Sequence, residues 1–220
     1  MQIAIDGPSS SGKSTIAKRL AQKYHFTYLD TGAMYRVITL YALEHKIDIN
    51  DQESLSLALE NIKISFQTGS KGQSVFLNDK DVTNKIRNNE VTNAVSAVSA
   101  HKYIRQEMVR RQREIAEQES IIMDGRDIGT VVLPNADIKI FLIASAEVRA
   151  KRRYKENLDK HIESSYEQIL EDLKRRDYLD STRTESPLKK ADDAIELDSS
   201  YLTIEEVVDK ISNLIEEVME

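Results

Sequence analysis

The chain has 220 residues, 40% hydrophobic and 31% charged, with a formal net charge of −6 and no cysteine. That length fits one domain, or one domain with a small insertion, and the composition excludes a disordered chain. The lack of cysteine excludes a disulfide framework and a thiolate metal site, the acidic balance argues against general nucleic-acid binding, and no apolar run approaches the ~20 residues of a membrane span.

The first apolar run, Ile3–Asp6, reads as a buried strand. It leads through Gly7, Pro8, Ser9, Ser10, Ser11, Gly12, Lys13, Ser14 and Thr15 into a helical pattern over Ser14–Tyr24. The spacing G-x-x-x-x-G-K-[ST] between a strand and a helix is that of a phosphate-binding P-loop. Its glycines let backbone N–H groups approach phosphate oxygens, and the helix turns its positive end to the same anion. In such a loop Lys13 reaches the β- and γ-phosphates and the Ser14 hydroxyl ligates Mg²⁺. The stretch predicts a bound nucleoside triphosphate.

A second strand, Thr27–Asp30, opens onto Thr31-Gly-Ala-Met-Tyr-Arg36 and a helix over Ala33–Glu44. Thr31 is read as the N-cap of that helix, offering its hydroxyl to an oxyanion, with Arg36 on the following turns. Residues 63–82 alternate apolar and polar side chains around Gly69 and Gly72 and turn again at Asn78-Asp79, which predicts a small antiparallel insert. Helices follow at Asn89–Ser99 and Tyr103–Gln118. A third strand, Ser120–Asp124, ends at Asp124-Gly-Arg126-Asp127-Ile-Gly129, where two glycines permit a tight turn that carries Arg126 and Asp127 to the sheet's edge.

Ile138–Ala144 supplies a fourth strand. Glu147–Leu179 reads as two charged helices separated by Asn157–Ser164, either a mobile lid or an ordinary amphipathic hairpin. A fifth strand, Ala194–Leu197, and an amphipathic helix, Leu202–Glu217, close the pattern. Strands alternating with helices predict an α/β fold: a doubly wound five-stranded parallel sheet with a small antiparallel β insert and a helical lid. Ligands of such sheets bind at the carboxyl ends of the strands, so Gly7, Asp30, Asp124 and Ala144 should border one site.

A P-loop does not by itself say what becomes of the phosphate. A GTPase needs a guanine-reading N-K-x-D element, and the nearest string, Asn78-Asp-Lys-Asp81, has the wrong order and lies in the insert. A helicase needs a basic surface. A small-molecule kinase needs two facing anion sites, and arginines concentrate at 105–113, 149–153 and 175–183. The bland reading of these clusters is a solvated helix face balanced by nearby acids.

G-P-S-S-S-G-K-S, L-D-T-G-A-M-Y-R, D-G-R-D-I-G-T-V-V and R-R-D-Y-L-D-S-T-R closely resemble the bacterial-type cytidylate kinase family of nucleoside monophosphate kinases, over essentially the whole chain. The resemblance implies a single kinase domain over residues 1–220, with a P-loop kinase core (1–30, 115–148 and 185–220), a nucleotide-acceptor region (31–114, with the insert at 63–82) and a lid (149–184). It implies Mg²⁺-dependent transfer of the ATP γ-phosphoryl group to CMP or dCMP. It implies that Thr31, Arg36, Arg126 and Arg183 hold the acceptor's 5′-phosphate, that Ser96, Arg105 and Asp127 face cytosine, and that Arg176 and Asp180 contact the sugar. Arg149 and Arg153 would join Gly7–Thr15 on ATP, and Lys13, Arg126, Arg153 and Arg183 would carry the catalytic charge.

Each role has an alternative at this stage. Ser96 sits among small residues that suit tight helix packing, Arg105 suits a helix surface, and Arg176 and Asp180 suit an ion pair four residues apart. Asp124 either holds Mg²⁺ through water, as an acid there does in related P-loop proteins, or caps its turn. The chain departs from the family in having Ser10-Ser11 where Ala or Gly is frequent. A kinase of another nucleoside monophosphate or small phosphorylated metabolite stays open, as does a nucleotide-dependent binding module without transfer. The expectation is a cytoplasmic monomer with neither nucleic acid nor membrane as partner.

Overall fold

In the computed structural model, which describes residues 1–69, 72–159 and 161–219, the chain runs through eight strands and eight α-helices. The first stretch comprises β1 (Gln2–Asp6), α1 (Lys13–Tyr24), β2 (Thr27–Asp30), α2 (Thr31–Glu44) and α3 (Gln52–Ala58). The insert strands β3 (Ile64–Gly69), β4 (Gly72–Leu77) and β5 (Lys80–Asp81) come next, then α4 (Asn89–Val98) and α5 (Lys102–Ala116). The remainder is β6 (Ile121–Gly125), β7 (Ile138–Ile143), α6 (Ala146–Asp159), α7 (Tyr166–Thr182), β8 (Ile195–Asp198) and α8 (Ile204–Met219). Two compact units divide it: Met1–Asp30 with Arg113–Glu220, and Thr31–Gln112.

The first unit is built on a parallel sheet in the order β2-β6-β1-β7-β8. Ile3, Ile5, Ile122, Ile140 and Leu142 are buried in its strands, as expected of a parallel sheet covered on its faces. Helix α1 turns Ile16, Ala17, Leu20 and Ala21 into the same cluster, and α8 adds Val207, Ile211 and Ile215 at helical spacing. The register places Asp6 beside Gly125 and Phe141, Asp30 beside Asp124, and Ile143 beside Asp198. All five carboxyl ends therefore share one edge.

Beyond Gly125 the structure departs from the expected tight turn. Residues Ile128–Val132 form a short π-helical turn, with Val131 and Val132 donating to the Asp127 carbonyl. Helices α6 and α7 form a hairpin closed by Ser165, which caps α7 by accepting from the Gln168 N–H, and by an Asn157 to Ser164 hydrogen bond. Lys160, in the expected lid, lies outside the described residues, as do Ser70 and Lys71 of the insert.

In the second unit, β3, β4 and β5 form an antiparallel sheet whose Asn78-Asp79 turn has φ of 48° and 67°. Two successive left-handed residues are what a tight hairpin turn requires. Helix α3 was not foreseen in the sequence; Asp51 caps it by accepting from Glu53 and Ser54. Thr31 requires a correction: α2 begins directly at the end of β2, so Thr31 is its first helical residue rather than its N-cap. Among the described residues no helix is long and apolar enough to cross a membrane.

Gly7 has φ +148°, and a Cβ there would collide with the Leu142 carbonyl oxygen. Gly12 has φ +100° with open space around it. Gly7→Ala should lower stability by on the order of 4 kcal/mol or more, and Gly12→Ala by about 1–2 kcal/mol. Urea denaturation of the two variants beside the wild type measures both.

Candidate active site

Four residues after β1, the loop carries a left-handed Ser10 (φ 62°) between Gly7 and Gly12. Its carbonyls are tied back into the protein. Pro8 accepts from Lys13 Nζ at 2.7 Å, Ser9 from Arg149 Nη1 at 3.1 Å and Ser11 from Ser199 Oγ at 3.2 Å. In a trans peptide the carbonyl and the following N–H point in opposite directions. Holding these carbonyls therefore turns the N–H groups of Ser9, Ser10 and Gly12 away from them, as an anion cradle needs.

Lys13 is buried at the start of α1. Burial, and next the positive charge of Arg126, push its pKa down to about 7. An anion bound in the loop would reverse both penalties.

Beside it, Asp124 at the end of β6 accepts from Ser14 Oγ at 2.8 Å and from the Tyr28 hydroxyl at 2.7 Å. Burial and the neighbouring Asp30 push the Asp124 carboxyl up. Tyr28 was missed in the sequence; its only signal is that it shares a strand face with Asp30, two residues on. Ser14 and Asp124 offer hard oxygen ligands amid an excess of negative charge. That suits Mg²⁺, which is commonly held by one or two carboxylates together with water and substrate phosphates. Among the described residues there is no cluster of three or more metal-ligating side chains, so the protein alone builds no closed cage.

A cationic cluster lines the same unit. Arg126 Nε donates to Asp180 Oδ2 at 2.8 Å. Arg183 lies 3.9 Å from both Asp127 and Asp180 and donates to the Ser186 carbonyl at 2.8 and 2.6 Å. Burial opposes the charge on Asp180, yet Arg126 overcomes it and holds the carboxyl below its usual range. Burial and then Arg126 push the Arg176 guanidinium down, and its buried Nε has no hydrogen-bond partner among the described residues. Arg153 pairs with Glu156 at 3.2 Å on a half-exposed stretch of α6.

Arg149, expected to face ATP phosphates, lies against the backbone of the phosphate loop. It is buried, donating to the Ala144 and Ser9 carbonyls and, at 2.6 Å, to Asp177 Oδ2. It reaches the phosphate loop through backbone. Arg152, not foreseen, donates to Ser199, whose hydroxyl holds the Ser11 carbonyl.

The other candidate residues belong to the second unit. Thr31 is buried in α2, and Arg36 donates to the Ile86 carbonyl at 3.0 Å and Thr92 Oγ1 at 2.9 Å. Buried Arg105 donates to the Ser99 carbonyl at 3.1 Å, with its guanidinium 5.3 Å from the Tyr35 ring centroid. Ser99 Oγ in turn donates to the Ser96 carbonyl at 3.1 Å. Ser96 and Arg105 are thus brought together through Ser99, a residue the sequence pattern does not mark.

A family model described as cytidylate kinase matches residues 3–217. Cytidylate kinases of Bacillus cereus and Bacillus thuringiensis are each 56% identical to the chain over 215 residues, covering 98% of it and 96% of their own length. A solved structure of an uncharacterized protein from Eubacterium ventriosum superposes with a TM-score of 0.53 at 14% identity, covering 99% of this chain and 98% of its own; that likeness concerns the fold.

The depressed Lys13 pKa has a binding consequence. With a free-protein pKa of about 7, a bound triphosphate that restores the charge should draw about 0.9 proton onto Lys13 at pH 8 and about 0.1 at pH 6. Calorimetry of ATP binding in buffers of different ionisation enthalpy, with Lys13→Met as the subtraction, measures that uptake.

Proposed function

The chain belongs to the cytidylate kinase family, and from that membership we propose how its residues divide the transfer of a phosphoryl group from ATP to CMP. The observation that carries the proposal is the proximity of Lys13 and Arg126. Lys13, buried at the start of α1, and Arg126, half-buried in the turn after β6, oppose each other's charge, and a transferring phosphoryl group between them would neutralise both.

On this reading the donor triphosphate lies along Gly7–Thr15, with Lys13 on its β- and γ-phosphates. Phosphoryl transfer asks little covalent work of the protein, and positioning with charge neutralisation carries most of it. A 5′-phosphate oxygen of CMP attacks the γ-phosphorus as the bond to the ADP oxygen breaks. Lys13, Arg126 and Arg183 neutralise the charge on the moving group, and Arg153 would join them only by leaving its pairing with Glu156. Ser14 and Asp124 are the residues that would hold Mg²⁺, which when bound supplies neutralising charge across the β- and γ-phosphates.

Thr31, Arg36, Arg126 and Arg183 are assigned to the acceptor's 5′-phosphate, and Arg176 and Asp180 to its sugar, where both CMP and dCMP are taken. The Asp127 carboxylate accepts from the cytosine N4 amine, while Arg105, with Ser96 beside it, serves the N3 and O2 acceptors. Uracil carries an oxygen in place of that amine and would meet Asp127 oxygen to oxygen. A site built around a hydrogen bond rejects an analogue that lacks it far more strongly than an apolar pocket does.

A coupled ADP-release assay across CMP, dCMP, UMP, AMP and GMP tests the assignment. CMP and dCMP should turn over best, and faster turnover of UMP or AMP would refute the base reading. Lys13→Ala should lower kcat by roughly 10²–10³. Asp127→Asn should cut the preference for CMP over UMP by about tenfold or more while leaving KM for ATP within about twofold.

A further inference from the structure

Asp6 ends β1, one residue before the phosphate loop, and is buried. Its carboxylate spans two backbone amides of the turn after β6: Oδ1 accepts from Ile128 at 2.8 Å and Oδ2 from Gly129 at 2.7 Å. These are opening N–H groups of the π-helical turn, which have no partner within it.

An aspartate just ahead of a helical turn ordinarily supplies that cap itself. Asp127 holds that position here, yet its side chain makes no capping hydrogen bond. The carboxylate lies instead 3.9 Å from Arg183. The neighbouring strand delivers a carboxylate, Asp6, that already occupies the amides. The arrangement is electrostatically costly. Burial pushes the Asp6 carboxyl up to about 6, the two amide hydrogen bonds partly offset this, and the charge of Asp127 adds to the penalty. The positive charge of Lys13 offsets a further part of that cost.

We propose that Asp6 is a positioning residue for base selection: by capping the turn in place of Asp127, it keeps the Asp127 carboxylate directed at the acceptor base. This rests on the base-reading role of Asp127 and adds what caps the turn in its place. Without Asp6, the Ile128 and Gly129 amides are orphaned, and Asp127, the nearest carboxylate in sequence, turns back to cap them. Discrimination between cytosine and uracil falls although Asp6 touches neither base.

Asp6→Asn is the near-isosteric test, because its amide group can accept from only one of the two N–H donors. The readout is the ratio of kcat/KM for CMP to that for UMP in the wild type, Asp6→Asn, Asp127→Asn and the double variant. Asp6→Asn should lower the ratio about tenfold or more with KM for ATP changed by less than about threefold, and the double variant should lose no more selectivity than Asp127→Asn alone. Equal losses toward CMP, UMP and ATP would mean a merely structural role and overturn the proposal. So would independent losses that multiply in the double variant. If Asp127→Asn itself leaves the ratio intact, the base reading has failed and the proposal falls with it, a result distinct from failure of Asp6→Asn alone. Should Asp6→Asn not fold, amide hydrogen exchange of the wild type decides: slow exchange at Ile128 and Gly129, unchanged on CMP binding, supports the external cap, and fast exchange overturns it.

Discussion

Charges of both signs crowd the carboxyl edge of the parallel sheet, and the site is built around holding them. Burial and Arg126 push the Lys13 pKa down, and burial and Asp30 push that of Asp124 up. Asp30, Asp124 and Arg126 lie at the carboxyl ends of β2 and β6, with Lys13 at the start of the helix after the β1 loop. The register of β2, β6 and β1 produces that crowding, since parallel strands in register present their ends, and whatever chemistry follows them, at one edge. Such crowding of like charges costs free energy, and an anion bound beside Lys13 and Arg126 would offset the cationic part of it.

The loop that receives the phosphate is held from behind. Its carbonyls are secured by Lys13, Arg149 and Ser199, and the last is fixed by Arg152. Arg149 also binds Asp177 of α7, so the backbone of the donor loop and the helical hairpin share one buried guanidinium. This gives Arg149 a structural task where a direct phosphate contact was the simpler expectation. An arginine's rigid fork of donors suits it to join a backbone carbonyl to a carboxylate.

Much of this was legible in the sequence, for identifiable reasons. Four of the five parallel strands end in Asp or Gly, the fifth is the apolar run Ile138–Ile143, and the P-loop spacing is fixed by backbone geometry, so both leave local marks. The three-stranded insert is marked by its glycines and its Asn78-Asp79 turn. What escaped depends on distant partners. Helix α3 buries only Leu55 and Ala58 and relies on the Asp51 cap. The π-helical turn exists where Asp6, 122 residues away, accepts the Ile128 amide. Tyr28 meets Asp124 only once the β2–β6 register is known. Thr31 was placed outside its helix because a strand leading into a helix with no intervening loop has no local signature.

Local legibility and mechanism then separate along a physical line. The residues that the sequence motifs mark are those a ligand would touch, because contact with a phosphate or a base demands a particular side chain or a glycine at a set spacing. Those that hold them, namely Asp6, Tyr28, Arg152 and Ser199, act through backbone amides, carbonyls or a single carboxylate, and many sequences could supply such a contact from elsewhere in the fold. Preorganisation of this kind raises a rate only if the supporting groups are themselves fixed. Here Asp6 and Tyr28 lie on strands of the parallel sheet, Ser199 directly follows β8, Arg152 lies within α6, and all four are buried or half-buried. The placement of these supporting groups is therefore a property of the sheet's register as much as of local sequence.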